Sequence, residues 1–200
     1  MATQAFLNAH PDMKYRVEGF FAYEEDRFDD AIKHFTKAAE YADKPSQAML
    51  AEMAWKGIGQ PQNRPIAYAW ADLAAEREYR HFVALRESYW AKLTPEERAT
   101  TLSVGQPILE KYGDAAAQKR LARHLRDARR WMISKRPRKD LVVVVPGLHG
   151  QPVRIAGHDF YADKFWQPEQ YFTWTDAVWK DPPTGRVDVG TIEQIDPSEQ

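Results

Sequence analysis

The densest run of ionisable side chains lies between residues 119 and 139. It contains Lys119, Arg120, Arg123, His124, Arg126, Arg129, Arg130, Lys135, Arg136, Arg138 and Lys139. On a helix, Arg123, Arg126 and Arg130 recur at i, i+3, i+7 and share one face. Guanidinium groups on one face suit phosphates or an acidic protein surface. The charge balance favours a plainer use. Residues 119–139 hold 10 basic and 1 acidic residues, net +9, between stretches of net −4 (1–118) and −6 (140–200). The 200-residue chain has 28 Lys+Arg against 29 Asp+Glu, a net charge of −1. A basic segment flanked by acidic ones is expected to pair within its own fold, which weighs against nucleic acid as a partner.

The second chemical concentration is aromatic. Phe160, Tyr161, Phe165, Trp166, Tyr171, Phe172, Trp174 and Trp179 fall within twenty residues. Trp166, Trp174 and Trp179 are candidates for a platform that stacks a sugar ring or a peptide. The competing expectation is a packing plug over the last helix of a helical domain. Catalytic and metal-binding patterns are weak. Without cysteine, thiolate ligands, cysteine nucleophiles and disulfides are excluded. None of the six histidines forms an H-E-x-x-H pair. His158, Asp159 and Asp163 come nearest to a metal set, but a surface loop explains them better. Pro146-Gly147-Leu148-His149-Gly150 is similar to the oxyanion-loop region of an α/β-hydrolase, yet the chain has no G-x-S-x-G elbow. Turn chemistry accounts for those residues. Gly57-x-Gly59 lacks the third glycine of a nucleotide fingerprint. The expectation is therefore no enzyme, no metal and no cofactor.

The elements that would position these groups read as helix after helix over residues 12–132, about six or seven in all. Phe28, Ala31, Ile32, Phe35, Ala38 and Ala39 follow a helical stripe, as do Ile66, Ala67, Ala69, Trp70, Leu73 and Ala74. Pro65 suits an early helical position. Thr94, Pro95 and Glu97 form a capping-box signature. Gly113 reads as a helix stop and Asp114 as the next N-cap. Beyond Arg138, Leu141 to Val145 and Val153 to Ile155 read as short strands. Pro182 to Gly185 is a turn signal, Val187 and Val189 alternate beyond it, and Ile192 to Gln200 is a fraying tail. Asp159 to Trp179 reads as irregular or partly helical.

Two stretches carry a repeat pattern. Tyr15, Gly19, Ala31, Phe35 and Ala38 have the spacing of a degenerate tetratricopeptide repeat. There a small residue sits where two helices cross closely and an aromatic fills the gap beside it. Leu50, Ala51, Met53, Trp55, Gly57, Gly59, Pro61, Asn63, Ala67, Trp70, Ala74 and Ala75 resemble a Sel1-like repeat, with Ala51, Ala54 and Glu78 departing from its usual Gly, aromatic and Gly. Gly57 is expected to end a helix in the left-handed conformation, and Gly59 to let the chain reverse. The resemblance covers about residues 12–92. It implies a non-catalytic scaffold or adaptor, of a kind common in bacteria.

The expected fold is mainly α. A short α-solenoid of tetratricopeptide/Sel1-like helix pairs occupies residues 1–139, and a small β-containing, aromatic-rich annex at 140–200 packs on it. The expected function is protein or peptide binding through groove positions Tyr15, Tyr23, Glu52 and Lys56. The alternative is carbohydrate or cell-wall binding through the aromatic cluster. No apolar run approaches the roughly 20 residues of a membrane span. Met1 to His10 has no signal-peptide pattern, and a mature secreted chain would look the same, so the compartment stays open between cytoplasmic and periplasmic.

Overall fold

The computed structural model describes residues 4–134, 142–146 and 152–181. The protein is mainly helical. In chain order the helices are α1 (Gln4–Ala9), α2 (Pro11–Glu24), α3 (Phe28–Ala39), α4 (Lys44–Lys56), α5 (Arg64–Ala74), α6 (Arg80–Trp90), α7 (Pro95–Tyr112) and α8 (Asp114–Ser134). A 3₁₀ turn, Ala75–Arg77, joins α5 to α6. Strands β1 (Val142–Pro146) and β2 (Pro152–Ala156) pair antiparallel, from Val142 opposite Ala156 to Pro146 opposite Pro152. Three helices follow: α9 (Gly157–Phe160), α10 (Asp163–Trp166) and α11 (Pro168–Lys180). The sequence signals at 147–150, 182–185, 187–189 and 192–200 lie outside the described residues.

Local chemistry explains most helix boundaries. Gly57 caps α4 at φ 71°, and the Ile58 N–H donates to Met53 O at 2.9 Å, closing a left-handed helix stop. Asn63 caps α5 by accepting the Ile66 N–H at 3.1 Å. Thr94 and Glu97 form both arms of the capping box on α7. Helices α2 and α3 cross at Gly19, where an added Cβ would stand 2.5 Å from Phe35 Cε1. The ring of Phe35 thus occupies the space that a side chain at 19 would need.

The largest core cluster joins α2 to α5 and includes Ala22, Phe35, Leu50, Met53, Trp70 and Leu73, with Tyr89 from α6. A second cluster joins Phe6 and Ala9 of α1 to Phe160, Phe165 and Trp166. A third joins Leu121 and Leu125 of α8 to Tyr171 of α11. The aromatic segment is therefore a plug, and its reach is wider than the last helix of the helical domain. It spans α8 and folds back onto α1. The segment expected to be irregular or partly helical is three helices. Gln167 is the N-cap and Pro168 the first residue of α11, where the missing N–H is harmless.

The start of α8 differs from the sequence reading. Asp114 does not cap α8. Gly113 supplies the carbonyl to the Ala116 and Ala117 N–H groups, and Asp114 is the first helical residue. Its carboxylate is turned to two cations instead, and Glu76 accepts its N–H at 3.0 Å.

Candidate functional site

The positioning begins at Ala42, a non-glycine residue at φ 63° that turns the chain from α3 into α4. An L-residue holds this conformation only against a steric penalty, so its surroundings must enforce it. Its carbonyl accepts from Arg77 Nη2 at 3.3 Å. The next residue, Asp43, caps α4. Asp43 Oδ2 accepts from the Ser46 N–H at 3.1 Å and the Ser46 hydroxyl at 2.6 Å. Asp43 Oδ1 accepts from Arg16 Nη1 at 2.6 Å. The cap of one helix is thereby also the counter-ion of another.

Behind it lies a charged knot. Lys44 is only 1% exposed. Its ammonium reaches Leu73 O at 2.8 Å, Glu76 at 2.8 Å and Asp114 at 3.0 Å. Arg77 holds Asp114 bidentately, Nε at 2.7 Å and Nη2 at 3.0 Å, and reaches Asp176 of α11 at 3.3 Å. Burial alone would raise the Asp114 carboxyl, but the Arg77 hydrogen bond and the Lys44 and Arg77 charges hold it below its ordinary value. Asp176 also accepts from the Tyr79 hydroxyl, and burial followed by that bond pushes the phenol up.

A second polar group ties α2 to α11. Asp12 accepts from the Tyr171 hydroxyl through Oδ2, while its Oδ1 has no partner among the described residues. Asp12 is 5% exposed. Burial, with the charge of Asp43, raises its carboxyl above the ordinary range against the pull of His10, Tyr171 and Arg16. His10 is fully buried and stacked on Phe6 at 3.9 Å. Its ring nitrogens lie 2.7 Å from Phe6 O and 2.6 Å from Phe165 O, which anchors the aromatic plug to the start of α2.

Some of these groups line a cavity of about 200 Å³, partly open to solvent. Its polar wall is Asp12, Arg16, Asp43, Lys44 and Arg77. Its apolar wall includes Tyr41, Leu121, Phe172, Trp174, Val178 and Trp179. The Arg16 guanidinium carbon lies over the Trp179 ring, 5.7 Å from its centroid, within cation–π range.

The structure sorts the sequence-selected residues. Trp174 and Trp179 line this cavity, whereas Trp166 is 3% exposed, donates Nε1–H to Phe160 O at 2.7 Å and presents no surface to a ligand. Glu52 and Lys56 pair with each other one turn apart on α4, and Tyr23 packs with Phe28 instead, ring centroids 5.5 Å apart. Beside Glu52 and Lys56, Trp55 stacks on Tyr89 at 4.0 Å, and burial with Glu52 pushes the Tyr89 phenol up to about 12. Tyr15 belongs elsewhere, stacked on His34 with Lys37 5.1 Å from its ring. Arg126 and Arg130 share an open pocket with Arg129, Gln167, Pro168 and Glu169, and Arg123 does not line it. Arg126, Arg129 and Arg130 lie 3.5–3.8 Å from Glu169, Asp163 and Asp127, all at the surface. His158 and Asp159 contact each other at the surface, and Asp163 contacts Arg129. No group of three or more His, Asp or Glu among the described residues is arranged to hold a metal ion. No helix among them is long and apolar enough to cross a membrane.

Asp12, Arg16, Asp43, Lys44 and Arg77 carry no motif in sequence. The one local signal is the i, i+4 spacing of Asp12 and Arg16, which puts both on one face of α2. No family model, curated protein or solved structure matches this chain.

Proposed function

We propose that this chain is a non-catalytic binding module that recognises a protein or peptide by seating one of its residues in the cavity between α2, α4, α8 and α11. The supporting observation is the lining: a charged wall from α2 and α4 faces aromatic rings from α11 across about 200 Å³. Sites for drug-sized molecules and cofactors occupy roughly 300–1,000 Å³, so this space suits a single residue. The resemblance of residues 12–92 to helical repeats supports the same class of partner. Selection from a displayed peptide library tests it. Val178→Trp, on the apolar wall, is the control, because it adds a bulky ring to the lining and leaves the charged residues unchanged. The expected result is a peptide family enriched on the wild type and lost on the filled variant. Equal recovery on both, or none on either, refutes the proposal.

A carbohydrate reading draws on Trp174 and Trp179, whose rings line the same cavity and would stack a sugar ring. Tryptophan fluorescence titrated with mono- and oligosaccharides tests it. A shift that disappears in Trp174→Ala supports it, and no shift with any sugar removes it.

A further inference from the structure

Three cations line the cavity, and two of them have their donors placed. The Lys44 ammonium is surrounded by Leu73 O, Glu76, Asp114 and Gln47. Arg77 commits its Nε–Nη2 edge to Asp114 and its Nη1 to Asp176 and Tyr79. Arg16 differs. Only its Nη1 is engaged, by Asp43, and its Nε and Nη2 groups have no partner among the described residues. Those two N–H groups form the parallel edge that matches the two oxygens of a carboxylate.

We infer that the cavity binds a carboxylate, gripped side-on by the Nε–Nη2 edge of Arg16, with its carbon stem between Trp174, Trp179 and Phe172. This rests on the binding-module reading above and names the group that enters. The surrounding acids permit an anion there. Asp43 is spent on Arg16 and on the α4 N-terminus. Asp12 accepts from Tyr171, and its carboxyl is raised toward the neutral form by burial. The Arg16 guanidinium carbon lies over the Trp179 ring at 5.7 Å, a cation–π contact that uses none of its N–H groups as a hydrogen-bond donor. The carboxylate has two sources in a peptide, a Glu or Asp side chain or the chain terminus.

The first probes are 3-phenylpropanoate, 3-phenylpropanamide and 3-phenylpropylamine, titrated calorimetrically against the whole protein. The acid is expected to bind about tenfold or more tighter than the amide or the amine, as a charge-assisted bidentate contact requires. Arg16→Gln should erase that preference. Because it also strips Asp43 of its partner, Val178→Trp is measured alongside and should abolish binding with Arg16 intact. An amine that binds as well as the acid, or no heat from the acid at millimolar concentration, overturns the inference. Peptides then separate the sources. Loss on C-terminal amidation marks the terminus, and loss on Glu→Gln marks the side chain. Captured peptides that keep their affinity through both changes overturn the carboxylate and leave the binding module standing. A bound small acid with no peptide captured does the reverse.

Discussion

Asp114→Asn tests whether the charged knot behind the cavity holds the fold. The carboxylate is 18% exposed and accepts from Arg77 at 2.7 and 3.0 Å, with Lys44 at 3.0 Å. Breaking a buried ion pair by removing one partner costs about 3–5 kcal/mol. Here each cation keeps a second acid, Glu76 for Lys44 and Asp176 for Arg77, and the asparagine oxygen still accepts a hydrogen bond. The expected loss is therefore about 2–3 kcal/mol at neutral pH. At about 2–4 °C per kcal/mol for a chain of this length, that lowers Tm by about 5–10 °C. The pH dependence gives a second reading. Despite burial, Arg77 and Lys44 hold the folded Asp114 carboxyl below its ordinary value of 3.8. A carboxyl lowered in the folded state stabilises fully above its unfolded value, and that contribution is lost as pH falls through the folded one. The gap between wild type and variant must therefore narrow below about pH 4. Urea unfolding followed by tryptophan fluorescence, at neutral pH and at about pH 3, measures both. A gap under about 0.5 kcal/mol at neutral pH, or one of equal size at both pH values, refutes the reasoning.

Three other substitutions probe separate parts of the fold. Glu78 sits at φ 58°, a conformation that costs an L-residue about 1–2 kcal/mol and a glycine nothing. Net of glycine's greater freedom when unfolded, Glu78→Gly should stabilise by about 0.5–1 kcal/mol, and a lowered Tm would contradict that account. Gly19→Ala puts a Cβ 2.5 Å from the fully buried Phe35 ring. It should destabilise by about 1–3 kcal/mol, and a neutral melt would mean that the α2–α3 crossing is looser than described. Trp166→Ala should cost about 3–5 kcal/mol and expose α1, whose Phe6 loses the ring 5.7 Å from its own. Hydrogen exchange unchanged along α1 would refute the coupling.

The sequence was most legible where one or two residues determine the local backbone. Gly57, the glycine of the repeat pattern expected to end a helix, is left-handed, and Thr94 with Glu97 announce a helix start through their own side chains. Glu78 occupies the place where the repeat pattern expects glycine, and the backbone there has the positive φ that glycine favours. Asp114 shows where this reasoning stops. Its type and position said N-cap, but Arg77 and Lys44 offered the carboxylate more than the helix N-terminus did. The cavity wall was illegible for a related reason. Lys44 looks like any first-turn lysine until Glu76 and Asp114, 32 and 70 positions away, are folded against it. Composition detected the aromatic cluster, but only the phases of α10 and α11 separate buried Trp166 from Trp174 and Trp179 at the cavity.

Stability alone gives no reason for such a space. Sealed and dry, 200 Å³ would cost about 5 kcal/mol at about 24 cal/mol per Å³. The opening to solvent and the polar wall lower that figure by admitting water. Yet apolar residues of similar volume would remove both the void and the desolvation of Arg16 and Asp43, often with no loss of stability. Under the proposed function, an entering group fills the cavity and offsets that cost. Such a group would touch Arg16 on α2 and the tryptophans on α11 together, so its binding free energy would add to the docking of α11 on α2. At a hundredfold excess over Kd the whole protein would gain about 2.7 kcal/mol. A carboxylate probe bound at Arg16 should therefore raise Tm in step with its calorimetric affinity. A probe that binds tightly and leaves the melt unmoved is binding somewhere else, or is binding the unfolded chain equally well.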